Sequence, residues 1–135
     1  MTTGPGITIA TSAGELIDKI TILEIKAERI TDPVRLGHVR TELAALGATR
    51  AAALAQSPPA LTTLTAALKQ VNQALWDIED EIRACERRQD FGARFIALAR
   101  SVYRTNDRRA ALKNEINTLL DSALVEVKSY EKYEE

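Results

Sequence analysis

A chain of 135 residues with 45% hydrophobic and 27% charged side chains is one domain with enough apolar material for a real core, which excludes a disordered chain. A net charge of −1 supplies no global field for nucleic acid or a membrane surface, and a single cysteine excludes an internal disulfide. Only 4% of residues are aromatic, and Leu, Ala and Ile dominate, a composition that suits helices better than sheets.

Residues 1–11, MTTGPGITIAT, alternate Ile7 and Ile9 with Thr8 and Ala10, which reads as an arm leading to a short strand. No basic residue precedes Lys19 and no long apolar run follows, so no signal peptide is expected. No stretch approaches the roughly 20 apolar residues of a membrane span. With Cys85 unpaired, the expected compartment is the cytoplasm.

Ser12 and Glu15 have the spacing of a capping box, in which the hydroxyl takes one free amide and the glutamate reaches back for another. Leu16, Ile20, Leu23, Ala27 and Ile30 then form one apolar stripe at helical spacing, while Ile22 and Ile25 fall on the far side with Asp18 and Arg29. A helix over 13–31 should therefore touch neighbours on two faces. It is either the middle helix of a bundle or carries a subunit contact at Ile22, Ile25 and Arg29.

Asp32 is a suitable N-cap and Pro33 a suitable first residue for a second helix, 33–56, ending before Ser57-Pro58-Pro59. Its stripe is Leu36, Val39, Leu43 and Leu46. Gly37 and Gly47 weaken it unless another backbone packs closely there. In the third helix, 60–88, Leu61, Leu64, Leu68, Val71, Leu75, Ile78, Ile82 and Cys85 hold successive heptad positions without a polar break. Asp90 is the candidate N-cap of a fourth helix, 91–120, whose seam runs Phe91, Phe95, Leu98, Val102, Thr105, Arg109, Leu112, Ile116 and Leu119. Two long heptad helices joined by a short turn fold back on each other. Residues 121–135 form a C-terminal arm in which Leu124–Tyr130 alternates and could pair with the N-terminal arm. The expected fold is an all-α, antiparallel four-helix bundle with short extended arms.

The blocks GELIDKITILEIK with ERITDP, LWDIEDEIR, and DFGARFIALARSVYRTNDRRAALKNEIN with a closing KSYE resemble a bacterial family of small proteins that is catalogued as a domain of unknown function. The resemblance covers nearly the whole chain outside the Ala-rich 44–60. It implies a stand-alone bacterial protein and carries no activity, ligand or catalytic residue.

Chemistry is most readily sought in the polar break of the fourth helix. Thr105 and Arg109 stand on the apolar seam, and a buried arginine needs a partner. Arg109 either snorkels to the surface or pairs with a carboxylate such as Asp18, fixing register. Alternatively Asn106, Asp107 and Arg109 line a polar pocket with Asp18 or Lys19 across it. Arg100, Arg104 and Arg108 form a ridge at steps of four, in a segment (83–113) with nine basic and three acidic side chains. Such a ridge can grip phosphates or carboxylates, with Tyr103 near enough to stack, or it can be a solvated face paired with Asp77, Glu79, Asp80 and Glu81. Nucleic-acid binding is disfavoured by the low net charge and few aromatics.

Glu15 and Asp18 have half the spacing of a helical magnesium site, but the next helix offers only Glu42, and Asp77 with Asp80 is a weak substitute. A chorismate-mutase-like site would have to recruit Lys19, Arg29, Arg104 and Arg108, and no spacing demands it. His38 reads as a surface residue without a relay partner, Cys85 as inert packing and Trp76 as filler. No metal and no cofactor is expected. The leading expectation is a non-enzymatic interaction or oligomerisation module, a cytoplasmic homodimer, with a small-anion protein or enzyme on the arginine ridge as the alternative.

Overall fold

The isoleucine-rich opening segment forms the helix around which the others assemble. In the computed structural model, which describes residues 4–134, α1 spans Ala13–Arg29, α2 Pro33–Ala53, α3 Ala60–Arg87 and α4 Ala93–Leu119. Helix α1 packs against each of the other three, α3 and α4 pack on each other as a long hairpin, and α2 touches α1 alone among the helices. The protein is an all-α four-helix bundle with α1 at its centre. Leu16, Ile17, Ile20, Leu23 and Ile25 of α1 are all buried. Ile17 meets Leu61 and Leu68 of α3 and Ile116 of α4 in the core. The two-face requirement of α1 is thus met inside one chain. Ile25 is sealed by the chain's own packing, Ile22 is half-buried, and Arg29 is committed to Asp77 at 2.6 Å and to the Trp76 ring, 5.6 Å from its centroid. Of the partner surface expected at Ile22, Ile25 and Arg29, Ile25 is covered within the chain, while Ile22 is half-buried and Arg29 exposed.

Helix ends follow local chemistry. Ser12 Oγ accepts from Glu15 N at 3.1 Å, and Asp32 Oδ2 accepts from Arg35 N at 2.9 Å with Pro33 opening α2. Glu15 does not complete the capping box, because its carboxylate is taken by Lys113 at 2.7 Å. Asp90 is not the N-cap of α4; Gly92 is, and Asp90 Oδ1 accepts from Gly92 N at 3.1 Å. The reason is the end of α3, where Gln89 at φ 56 and the Asp90 N–H donating to Cys85 O place Asp90 within a Schellman turn. Phe91, expected on the seam, precedes α4 and is half exposed, packing edge-on against Phe95.

The glycine that permits close helix approach is Gly14, not Gly37 or Gly47. A Cβ on Gly14 would stand 2.3 Å from the Lys113 carbonyl oxygen, whereas Gly37 and Gly47 have nothing within 4 Å. The start of α1 is held there by borrowed side chains. Gly14 N donates to Asn117 Oδ1 at 2.7 Å and Ala13 N to Ser122 Oγ at 3.2 Å, satisfying amides that a helix start leaves free.

No strand forms among the described residues, so the arms do not pair within the chain. Two short strands are marginal without a surface to lie on, and residues 4–11 are exposed throughout.

Gly14→Ala is expected to lower stability by about 1–3 kcal/mol through overpacking, although alanine is the better helix former. Gly37→Ala and Gly47→Ala, where the space is open, should each raise it by about 0.5–1 kcal/mol. Urea unfolding followed by circular dichroism checks the three signs.

Candidate functional site

Helix α1 runs antiparallel to α4, so the acids on one face of α1 meet the bases of α4 in reverse order. Glu15 faces Lys113 and Asp18 faces Arg109. The Asp18 side chain is 1% exposed. Arg109 grips it with two bonds, Nε to Oδ1 at 2.9 Å and Nη2 to Oδ2 at 2.5 Å. Asn72 of α3 adds a bond from Nδ2 to Asp18 Oδ1 at 2.9 Å and another to Thr21 Oγ1 at 3.0 Å. The polar break of α4 is thus the register-fixing pair, since a buried carboxylate with three donated bonds ties α1, α3 and α4 together. Bonding to Asp18 holds the Arg109 guanidinium above its usual pKa against the cost of burial.

Lys113 is buried, its side chain 7% exposed between Glu15 at 2.7 Å and Glu126 at 2.8 Å. Burial pushes its pKa down, but bonds to Glu126 and Glu15 outweigh that and leave it raised. Lys113 is therefore a fixed ammonium at neutral pH, an anchor and not a base.

Glu126 comes from the C-terminal arm. At the end of α4, Asp121 at φ 51 and the Ser122 N–H donating to Asn117 O at 2.8 Å turn the chain sharply. The arm then runs back along α4. Glu126 reaches Lys113, Lys128 pairs with Asp107, and the Tyr133 ring meets Tyr103 edge-on with centroids 4.9 Å apart. The Lys128 and Tyr133 contacts hold the Asp107 carboxyl below its ordinary pKa, the Lys128 bond contributing most. Tyr133 is raised, first by its surroundings' exclusion of water and then by Asp107.

Between arm and helix lies a cavity of about 590 Å³. Its α4 wall includes Tyr103, Asn106, Asp107, Arg109 and Lys113, and its arm wall Glu126, Lys128, Tyr130, Glu131 and Tyr133. Of the residues expected to bind a ligand, Asn106, Asp107 and Arg109 line this cavity, and Asp18 stands behind Arg109. Lys19 is exposed and does not line it, and neither do Arg100, Arg104 and Arg108. These three arginines are exposed and form no ion pair among the described residues. Of the acids expected to cover them, Asp77 pairs with Arg29, Glu79 with Arg83 and Glu81 with Arg94, and Asp80 is exposed with no ion pair among the described residues. The paired acids sit nearer to other cations of α1, α3 and the start of α4, so the ridge stays bare.

Glu15 and Asp18, spaced like half a magnesium site, are saturated by Lys113 and Arg109. Among the described residues no group of three or more His, Cys, Asp or Glu could hold a metal ion. Of the residues a chorismate-mutase-like site would recruit, Arg29 is bound to Asp77, and Lys19, Arg104 and Arg108 are exposed. His38 is exposed, Cys85 is buried in the core and Trp76 is half-buried under Arg29. Sequence reasoning did not reach Lys113, Asn72, Asn117 or the arm's Glu126 and Lys128. The available signal was the match between Glu15/Asp18 and Arg109/Lys113, one acid pair and one base pair at helical spacing.

Lys113→Ala should release the arm, leaving two carboxylates without their shared cation. The side-chain NMR contact between Tyr103 and Tyr133 is expected to weaken while the helix amides keep their protection from exchange, with a loss of about 1.5–3 kcal/mol in stability.

No curated protein and no solved structure matches this chain. No helix among the described residues is long and apolar enough to cross a membrane. A family model described as a family of unknown function (DUF6165) matches residues 7–133, and the chain, whose cleft and buried ion pairs all lie inside that span, belongs to that family.

Proposed function

We propose that this protein is a non-enzymatic interaction module that self-associates through its two arms, and that it works in the cytoplasm, where Cys85 stays reduced. The observation that carries this reading is the inverted alternation of the C-terminal arm. Glu126 and Lys128 turn toward α4 and pair with Lys113 and Asp107, while Val125 and Val127 point away from it, 63% and 82% exposed. An arm that turns charge inward and valine outward is short of a cover on its outer side. The N-terminal arm carries the matching residues, Ile7 and Ile9, exposed at 87% and 76%.

Both arms leave from the same end of the bundle, since Ala13 bonds to Ser122. Exchange of N-terminal arms between two copies would cover both C-terminal arms at once, a closed two-fold arrangement in which each copy gives and receives the same contact. Extended backbone on both arms would pair across the exchange as an added strand. The interior supports a binding role over a catalytic one, because buried Lys113 and half-buried Arg109 are both held protonated and saturated by carboxylates.

Light scattering on the intact chain is expected to give a dimer, with Val125→Glu/Val127→Glu giving a monomer of unchanged helix content. A clean monomer of the native chain at several hundred micromolar would contradict the reading.

A second reading rests on the bare ridge of Arg100, Arg104 and Arg108. Three aligned guanidiniums without acidic partners suit a small anion such as a phosphorylated or dicarboxylate compound. Thermal stabilisation by such compounds should vanish in Arg104→Ala or Arg108→Ala while the fold is kept; steep salt dependence with a polynucleotide would point to nucleic acid instead. No shift with any of these compounds sinks the ridge as a site.

A further inference from the structure

The cavity under the C-terminal arm already holds a ligand-like group, the arm's own lysine. Lys128 Nζ pairs with Asp107 and lies 5.7 Å from the centroid of the Tyr130 ring. Tyr133 and Tyr103 stack beside the same aspartate, and Glu131 lines the cavity too. An ammonium held by a carboxylate and bordered by tyrosine rings is the arrangement by which proteins recognise organic cations. The cavity's volume of about 590 Å³ is that of a small-molecule site.

The sign of the ligand follows from a charge count. The lining carries three carboxylates, Asp107, Glu126 and Glu131, and three cations, Arg109, Lys113 and Lys128. Behind the wall, Asp18 and Glu15 already occupy Arg109 and Lys113. Five carboxylates against three cations leave −2, and Lys132 in the adjoining part of the cleft brings this to −1, so the site stays net negative and an anion entering here meets repulsion. Arg104 and Glu134, which both act on Tyr133 at the rim, cancel. From this geometry we infer that the cleft between α4 and the arm is a binding site for a small organic cation, an alkylammonium or guanidinium compound, which takes the place of Lys128 between Asp107 and the tyrosines. The site is opposite in sign to the arginine ridge, of which Arg104 alone reaches its rim, and it does not depend on the arms' outward faces.

Butylammonium and 1,4-diaminobutane serve as probes, with butyrate and sodium chloride at matched ionic strength as controls. In the intact native chain, butylammonium is expected to shift the side-chain NMR resonances of Lys128 and Tyr130, and butyrate is not. Lys128→Ala, a change outside every helix, leaves Asp107 without its cation and should bind butylammonium at least tenfold more tightly than the native chain. Asp107→Asn added to Lys128→Ala should remove that binding. The proposal is overturned if butylammonium leaves the native resonances unmoved, if Lys128→Ala binds it no better than the native chain, or if butyrate binds as well. Because self-association is read separately by light scattering, a failure here leaves the arm-exchange reading standing, and the reverse.

Discussion

A carboxylate removed from water and met by a guanidinium is the constraint on which this structure turns. Asp18 lies at the centre of the helix that contacts all the others, and desolvating it alone would cost several kcal/mol. Arg109 and Asn72 remove most of that cost only if α4 and α3 stand at one height relative to α1. Apolar stripes permit sliding by a turn, because leucine and isoleucine pack nearly as well in neighbouring registers. The buried pair does not permit it. Gly14 acts in the same sense, since the backbone contact it allows with Lys113 exists at one height only.

With the register set, the rest of the site follows by propagation along α4. One helical turn beyond Arg109, Lys113 comes to lie between Glu15 and the arm. At the helix end, Asn117 and Ser122 cap the start of α1, and the turn at Asp121 sends the chain back over the polar break. The residues interrupting the apolar seam therefore have two sides. One holds α1, and the other holds the arm and the cavity. A single polar stretch, Asn106 to Lys113, both fixes the fold and furnishes the cleft.

Much of this was legible in the sequence. The helices, their order and the central place of α1 came from apolar periodicity, and the Asp18–Arg109 pair was one of the readings open to an arginine on a seam. Gly14 was not legible, because a glycine beside an S-x-x-E cap looks like ordinary helix-start chemistry until the facing backbone is known. Lys113 lies one residue off the seam and was read only as one of nine basic side chains in 83–113. Glu15 and Asp18 showed half the spacing of a metal site without its second half, since i, i+3 acids carry the same spacing whether a metal or another helix neutralises them. The alternation of 124–130 was real, but its polar side faces the protein, the reverse of the usual strand on a core. The covering of the arginine ridge failed as an expectation because long acidic side chains pair with the nearest cation in space.

The account stands most directly on the coupling between Asp18 and Arg109. A double-mutant cycle of Asp18→Ala, Arg109→Ala and the pair, read by urea unfolding, measures it. A coupling of about 2–3 kcal/mol is expected, with the double variant costing less than the sum of the two single losses. Single losses that add to within about 0.5 kcal/mol would show that the buried pair does not hold the bundle in register.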